Sequence, residues 1–172
     1  MSSDLIDLST SSLIFKKTKT NYVIYNSFNK KHQIKLNNVF IPFGMEKYGK
    51  LFILNIELNP TDNNTHYNYY SILSQFEEDL KNKQFNNQQL INDLNGKDYS
   101  CNLRNSKCGN IIRSHVSGFP KSSSIVNGIK CEYESRNIKK ASRINVILEL
   151  GTIWISDNSY GFSWNVKEIE YL

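Results

Sequence analysis

At 172 residues the chain is long enough for one domain with a self-sufficient core, burying about 70% of its unfolded surface without disulfide staples. Three cysteines, no leader-like start and no run near the ~18 apolar residues of a membrane span argue against a disulfide-built secreted scaffold and a membrane protein. The expectation is a soluble, intracellular chain with reduced thiols. Its net charge of +5 is blocked: +5 over 1–50, −4 over 51–100, +7 over 101–143 and −3 over 144–172. Such blocks suit a folded domain with a basic face that attracts polyanions, with an ordinary solvated surface as the plainer reading.

In chain order, residues 1–12 are polar and Ser-rich and read as a frayed end. NYVIYNSF from Asn21 is rich in β-branched and aromatic residues, NKK reads as a turn, and HQIKL alternates, so a hairpin is expected. VFIPFGMEKYGK carries a proline and glycines that interrupt pairing, and LFILNIEL follows as an apolar strand. After the loop NPTDNNT, the residues Tyr69, Ile72, Leu73, Phe76 and Leu80 fall at helical spacing, with Glu77, Glu78 and Asp79 on the opposite, solvated face. A weaker helical pattern runs through Phe85, Leu90, Ile91 and Leu94 to the stop signal Asn95-Gly96. From Tyr99 to Ala141 short apolar pieces alternate with basic loops, and RINVILELGTIWIS and FSWNVKEIEYL then read as two long strands about DNSYG.

Strands, one helical stretch and strands again predict a single domain over 1–172. The fold class is mainly β, an OB-fold-like antiparallel barrel with an inserted helical segment around residues 66–94; a β-sandwich with a helical insert fits the same order.

Enzyme signatures are missing: no phosphate loop ending in Lys-Ser/Thr, no Gly-x-Ser-x-Gly elbow, no His-Glu-x-x-His. No catalytic residue and no cofactor is expected. Cys101, Cys108, His115 and Cys131 are zinc-competent, but six residues stand between Cys101 and Cys108 where structural zinc sites use tight pairs, so free thiols or core packing are preferred.

Parity sorts the two tryptophans. Phe162, Trp164 and Val166 share a strand face, which makes Trp164 a core residue. Ile144, Val146, Leu148 and Leu150 share a face, yet past Gly151 the apolar parity moves to Ile153 and Ile155. A bulge at Gly151 would turn Trp154 outward; without one Trp154 is core, and both readings stand. An outward aromatic beside lysines is what unstacked bases need, because every base has a π-face. The same interleaving recurs at Lys16, Lys17, Lys19, Tyr22, Tyr25, Phe28, Lys30 and Lys31, and at Phe43, Lys47, Tyr48 and Lys50. The candidate contact set is Trp154, Phe43, Tyr48, Lys47, Lys50, Tyr22, Tyr25, Lys30, Lys31, Arg113, Lys139, Lys140 and Arg143. For any single aromatic, ordinary strand packing is the competing reading.

Pro42-Phe43-Gly44, the Gly151-x-x-Trp154 segment and Tyr160-Gly161-Phe162-Ser163-Trp164-x-Val166, with the order of elements over 20–172, resemble the single-stranded-DNA-binding proteins of large eukaryotic DNA viruses, which are themselves similar to phage OB-fold counterparts. The resemblance implies a non-catalytic protein that coats single strands in DNA replication, recombination or repair within a host-cell viral replication compartment, with replication proteins as further partners. The phage proteins end in an acidic tail closing on an aromatic residue; VKEIEYL has only two acids, so tail-mediated recruitment is not carried over. Two rival expectations are a single-stranded RNA-binding protein and a viral protein–protein interaction module using the same aromatic face. Self-association is left open.

Overall fold

The computed structural model describes residues 8–58, 64–106, 109–116, 121–126, 129–133 and 138–172. In chain order they form β1 (Ile14–Lys17), β2 (Tyr22–Tyr25), β3 (Gln33–Ile41), β4 (Met45–Tyr48), β5 (Leu51–Leu58), α1 (Asn64–Lys81), α2 (Gln88–Asp93), β6 (Asp98–Tyr99) and β7 (Leu103–Ser106). There follow β8 (Gly109–Val116), β9 (Lys121–Val126), β10 (Ile129–Tyr133), β11 (Ser142–Ile155) and β12 (Ser159–Tyr171).

Five strands close on themselves: β3 pairs with β5, β5 with β8, β8 with β12, β12 with β11, and β11 with β3. This is the OB-type barrel, and its one parallel contact is β8 with β12. Alternating apolar residues give each strand an inner face, so Ile34, Leu36, Leu54, Ile56, Leu148, Leu150, Phe162 and Trp164 meet in one core. Bulges supply the coiling that closure needs. The register slips between Ile144 and Val146, where Asn38 sits at φ 52° and donates its N–H to Asn145 Oδ1, and again between Leu150 and Ile153.

The hairpin expected between Asn21 and the HQIKL strand does not form. Instead β2 and β3 lie end to end on the edge of β11 opposite β12, the N-terminal part of β11 pairing with β3 from Ser142 to Glu149 and its Thr152–Ile153 step with β2. A 14-residue strand is long enough to take both partners, and β2 pairs on its other edge with β1. The stretch read as an interrupting loop also contains β4, which folds back on β5.

The helices take the inner side. Phe76 meets Phe162 edge-on at 5.1 Å, the Tyr160 hydroxyl donates to Leu80 O, and Asn87 Nδ2 donates to Phe15 O. Leu8 and Thr10 are buried as well, so the frayed end expected over 1–12 does not include those two residues; residues 1–7 lie outside those described. Glu77 corrects another expectation. It is buried, not on a solvated face, because its Oε1 accepts the N–H groups of Asn102 and Leu103 at 2.9 and 2.6 Å and so pins α1 to the start of β7.

Candidate nucleic-acid interface

Among the described residues the helices lie on the inner side of the sheet, and no described helix covers its outer face. On β5 that face carries Leu51, Ile53, Asn55 and Glu57, and the register sets beside them Tyr48 and Glu46 of β4 and His115, Arg113 and Ile111 of β8. Tyr48 is 52% exposed, and the Arg113 guanidinium stands 5.2 Å from its ring centroid. Ile53 lies between them on the same face and is 4% exposed, so the pair shields an apolar strip. A flat ring beside a planar cation offers a base a surface to stack on and a phosphate a charge to pair with.

The loop that carries Phe43 and the segment that carries Lys139 and Lys140 are held together by a tight approach at Gly44. Its φ is +74°, and a Cβ there would stand 2.7 Å from Ile138 O and 3.0 Å from Lys140 N, so only glycine lets the loop before β4 lie against the segment before β11. Met45 N–H donates to Ile138 O across this contact. Phe43, Lys47, Lys50, Lys139 and Lys140 are all exposed, although Lys47 pairs with Phe52 and shares the opposite face of the hairpin from Tyr48. Arg143 lies on the outer face one strand beyond, its guanidinium 5.7 Å from the Phe40 ring, and Phe40 pairs with Glu57 on the other side. Glu46 is tied to Asn55 Nδ2. Burial, helped by Arg113, lowers the His115 pKa below its ordinary value.

The bulge at Gly151 is present: Leu150 pairs with Trp164 and Ile153 with Phe162, leaving two residues of β11 opposite Ser163 alone. A Cβ at Gly151 would stand 2.4 Å from Ser163 Oγ and 2.7 Å from Asn165 Nδ2, so any side chain there would force both of these side chains to shift. Trp164 is consequently 1% exposed in the core, and Trp154 faces outward, part-exposed, paired with Gly161.

Four predicted residues gather on the β1–β2 extension rather than beside Tyr48. Tyr25 stands between the Lys31 and Lys16 ammoniums, 4.9 and 5.0 Å from its centroid, and Lys30 is exposed next to them. Lys31 also donates to Gly151 O at 3.2 Å, and burial lowers its pKa, opposed by Glu149. Tyr22 is a correction to the candidate set: it is 1% exposed, its hydroxyl donates to Asp93 Oδ2 at 2.6 Å, and burial with that carboxylate raises its pKa, so no base can stack on it.

Of the zinc-competent set, Cys101 is exposed and His115 is on the outer sheet face; Cys108 and the Cys131 side chain lie outside the described residues. Among the described residues no group of His, Cys, Asp and Glu converges on a metal site. Sequence reasoning missed the Phe40–Arg143 pair and the role of Gly161. The latter was legible, since counting back from the DNSYG turn sets Gly161 opposite Trp154.

The closed order of β3, β5, β8, β12 and β11 defines an OB-type barrel. Solved structures share it, among them two of one phage protein. The chain is similar to a C-terminal truncation of the single-stranded DNA-binding protein from bacteriophage Enc34, with TM-score 0.55 and 14% identity over 92% of this chain and 94% of that one. It is also similar to the bacteriophage Enc34 protein in complex with ssDNA, with TM-score 0.56 and 13% identity over 93% of this chain and 94% of that one. No protein-family model matches the sequence, and no curated protein matches it.

Proposed function

We propose that this protein binds single-stranded DNA with little sequence preference, across the outer face of β4, β5 and β8. The observation that carries the reading is the exposed Tyr48 with Arg113 over its ring, framed by Phe43, Lys50, Lys139 and Lys140. In OB-type barrels the strand 2–3 face, between the loop joining strands 1 and 2 and the loop joining strands 4 and 5, binds oligonucleotides; here these are the β5–β8 face, residues 42–50 and the turn between β11 and β12. The likeness in fold to a protein solved with ssDNA supports the same reading. Bases stack on Tyr48 while the cations follow the phosphates. The role is non-catalytic: the protein coats strands exposed in DNA replication, recombination or repair, in the host-cell compartment where a viral genome is copied.

The test is a fluorescence-anisotropy titration of labelled oligo-dT, with competition by a duplex and by matched single-stranded RNA, at several salt concentrations. For about four phosphate contacts log K should fall with log salt at a slope near −3, from ~0.7 per contact on single strands. Duplex competing as well as or better than oligo-dT would refute the reading, and tighter RNA binding would move it to RNA.

A further inference from the structure

Among the described residues the most exposed large apolar side chain is Phe28, 81% accessible, and the loop that presents it is firmly built. Asn26 Oδ1 accepts the N–H groups of Phe28 and Lys30 at 3.1 and 2.9 Å, Asn26 N–H donates to Lys30 O at 2.8 Å, and Asn29 adopts φ 59°. Lys16 Nζ, reaching across from β1, donates to Asn29 Oδ1 at 2.6 Å. The loop therefore holds its shape before any partner arrives, and little ordering entropy opposes binding there. Around it stand Lys16, Lys30 and Lys31 with Tyr25 and the exposed Ile14, which pairs with Tyr25 on the outer face.

This patch and Tyr48 both lie on the outward side of the sheet, around the barrel from one another. From β4 the sheet runs through β5, β8, β12, β11 and β2 to β1, and the outward residues along it include Tyr48, Arg113, Asn165, Trp154, Tyr25 and Lys16. Followed around the outside of the closed barrel, six strand spacings of ~4.8 Å make a curved path of roughly 29 Å. At the ~3.4 Å rise of stacked nucleotides that corresponds to about nine nucleotides.

We infer that the loop carrying Phe28, with Lys16, Lys30 and Lys31, is a second stacking station, and that a single strand engaged at Tyr48 continues past Trp154 onto it. The inference rests on the proposed DNA binding and extends its site beyond the barrel. An exposed aromatic ring on a loop with Lys30 beside it, Lys16 bound to its Asn29, and Lys16 and Lys31 over the neighbouring Tyr25 select a polyanion carrying flat groups over a neutral peptide.

The experiment compares dT4, measured by displacement, with dT16, measured by direct anisotropy, on the full chain. Phe28→Ala should weaken dT16 about tenfold and leave dT4 within about twofold, as expected for one lost stacked base on the long ligand alone. Lys30→Gln should lower the dT16 salt slope by about 0.7. Tyr48→Ala should weaken both lengths. If Phe28→Ala leaves dT16 unchanged while Tyr48→Ala weakens both, the extension is wrong and the barrel site stands; a protein ligand for Phe28 would give that result. Equal losses on both lengths also defeat the extension, because Phe28 would then belong to the primary site. If wild type binds neither oligonucleotide, or Tyr48→Ala changes neither, the barrel reading fails and the extension with it.

Discussion

Trp154 rests against Gly161, its cross-strand partner, so closely that a Cβ built on the glycine would stand 2.7 Å from the indole Cζ2. The glycine lets the ring settle on the outer face while Trp164, on the opposite face of β12, goes to the core. In a Trp164→Phe variant, where Trp154 is the sole reporter, oligo-dT should quench tryptophan emission. Quenching that survives only in Trp154→Phe would reverse the assignment. Gly161→Ala should shift the Trp154 emission without DNA, and because the added methyl would also stand 2.9 Å from Ser100 O, it should cost about 1–3 kcal/mol of stability.

Trp164 is among the largest fully buried side chains, meeting Phe162 at 6.0 Å between centroids. Trp164→Ala should cost about 3–5 kcal/mol in a urea melt, from lost apolar contact and the cavity left behind. Trp154→Ala should cost well under that and act on DNA binding instead, by about 1–3 kcal/mol for one stacked base.

Tyr48 and Arg113 should separate stacking from charge. Tyr48→Ala should weaken oligo-dT by about 1–3 kcal/mol at every salt concentration, since stacking releases no counterions. Arg113→Gln should weaken binding most at low salt and reduce the salt slope by about 0.7. Parallel shifts for both variants on a log K against log salt plot would contradict that division.

Glu77 gives stability a pH dependence. Burial pushes its carboxyl up from 4.5 to about 7, against the lowering effect of the Leu103 and Asn102 amides and the Cys101 thiol. Between those values the folded protein holds a proton that the unfolded chain has released. Its contribution is therefore fully present below about 4.5 and is lost as pH rises through about 7. Glu77→Gln keeps an oxygen to accept both N–H groups and should flatten this dependence, gaining on the order of 3 kcal/mol over the parent at pH 8. Urea melts at pH 5 and pH 8 check it, and a parent protein equally stable at both would count against the assignment.

Local alternation along the chain determined much of the barrel. The apolar run of LFILNIEL, the period-2 patterns of the last two strands, the helical spacing of Tyr69 to Leu80 and the parity break at Gly151 each reflect which side of a strand or helix meets the core, and that is written in neighbouring residues. Only the tertiary structure decided who pairs with whom. β2 and β3 both pair with one edge of β11 instead of with each other, and Tyr22 turns inward to Asp93, 71 positions away, because long-range pairing depends on which distant edge is free once the chain has closed. Glu77 was misread for the same reason: helical spacing assigns it a face of α1, but only the arrival of Asn102 and Leu103 makes that face an interior one. The outer aromatics were legible one by one as types. Their gathering on a single open face follows from the helices having taken the inner side, which no local pattern records.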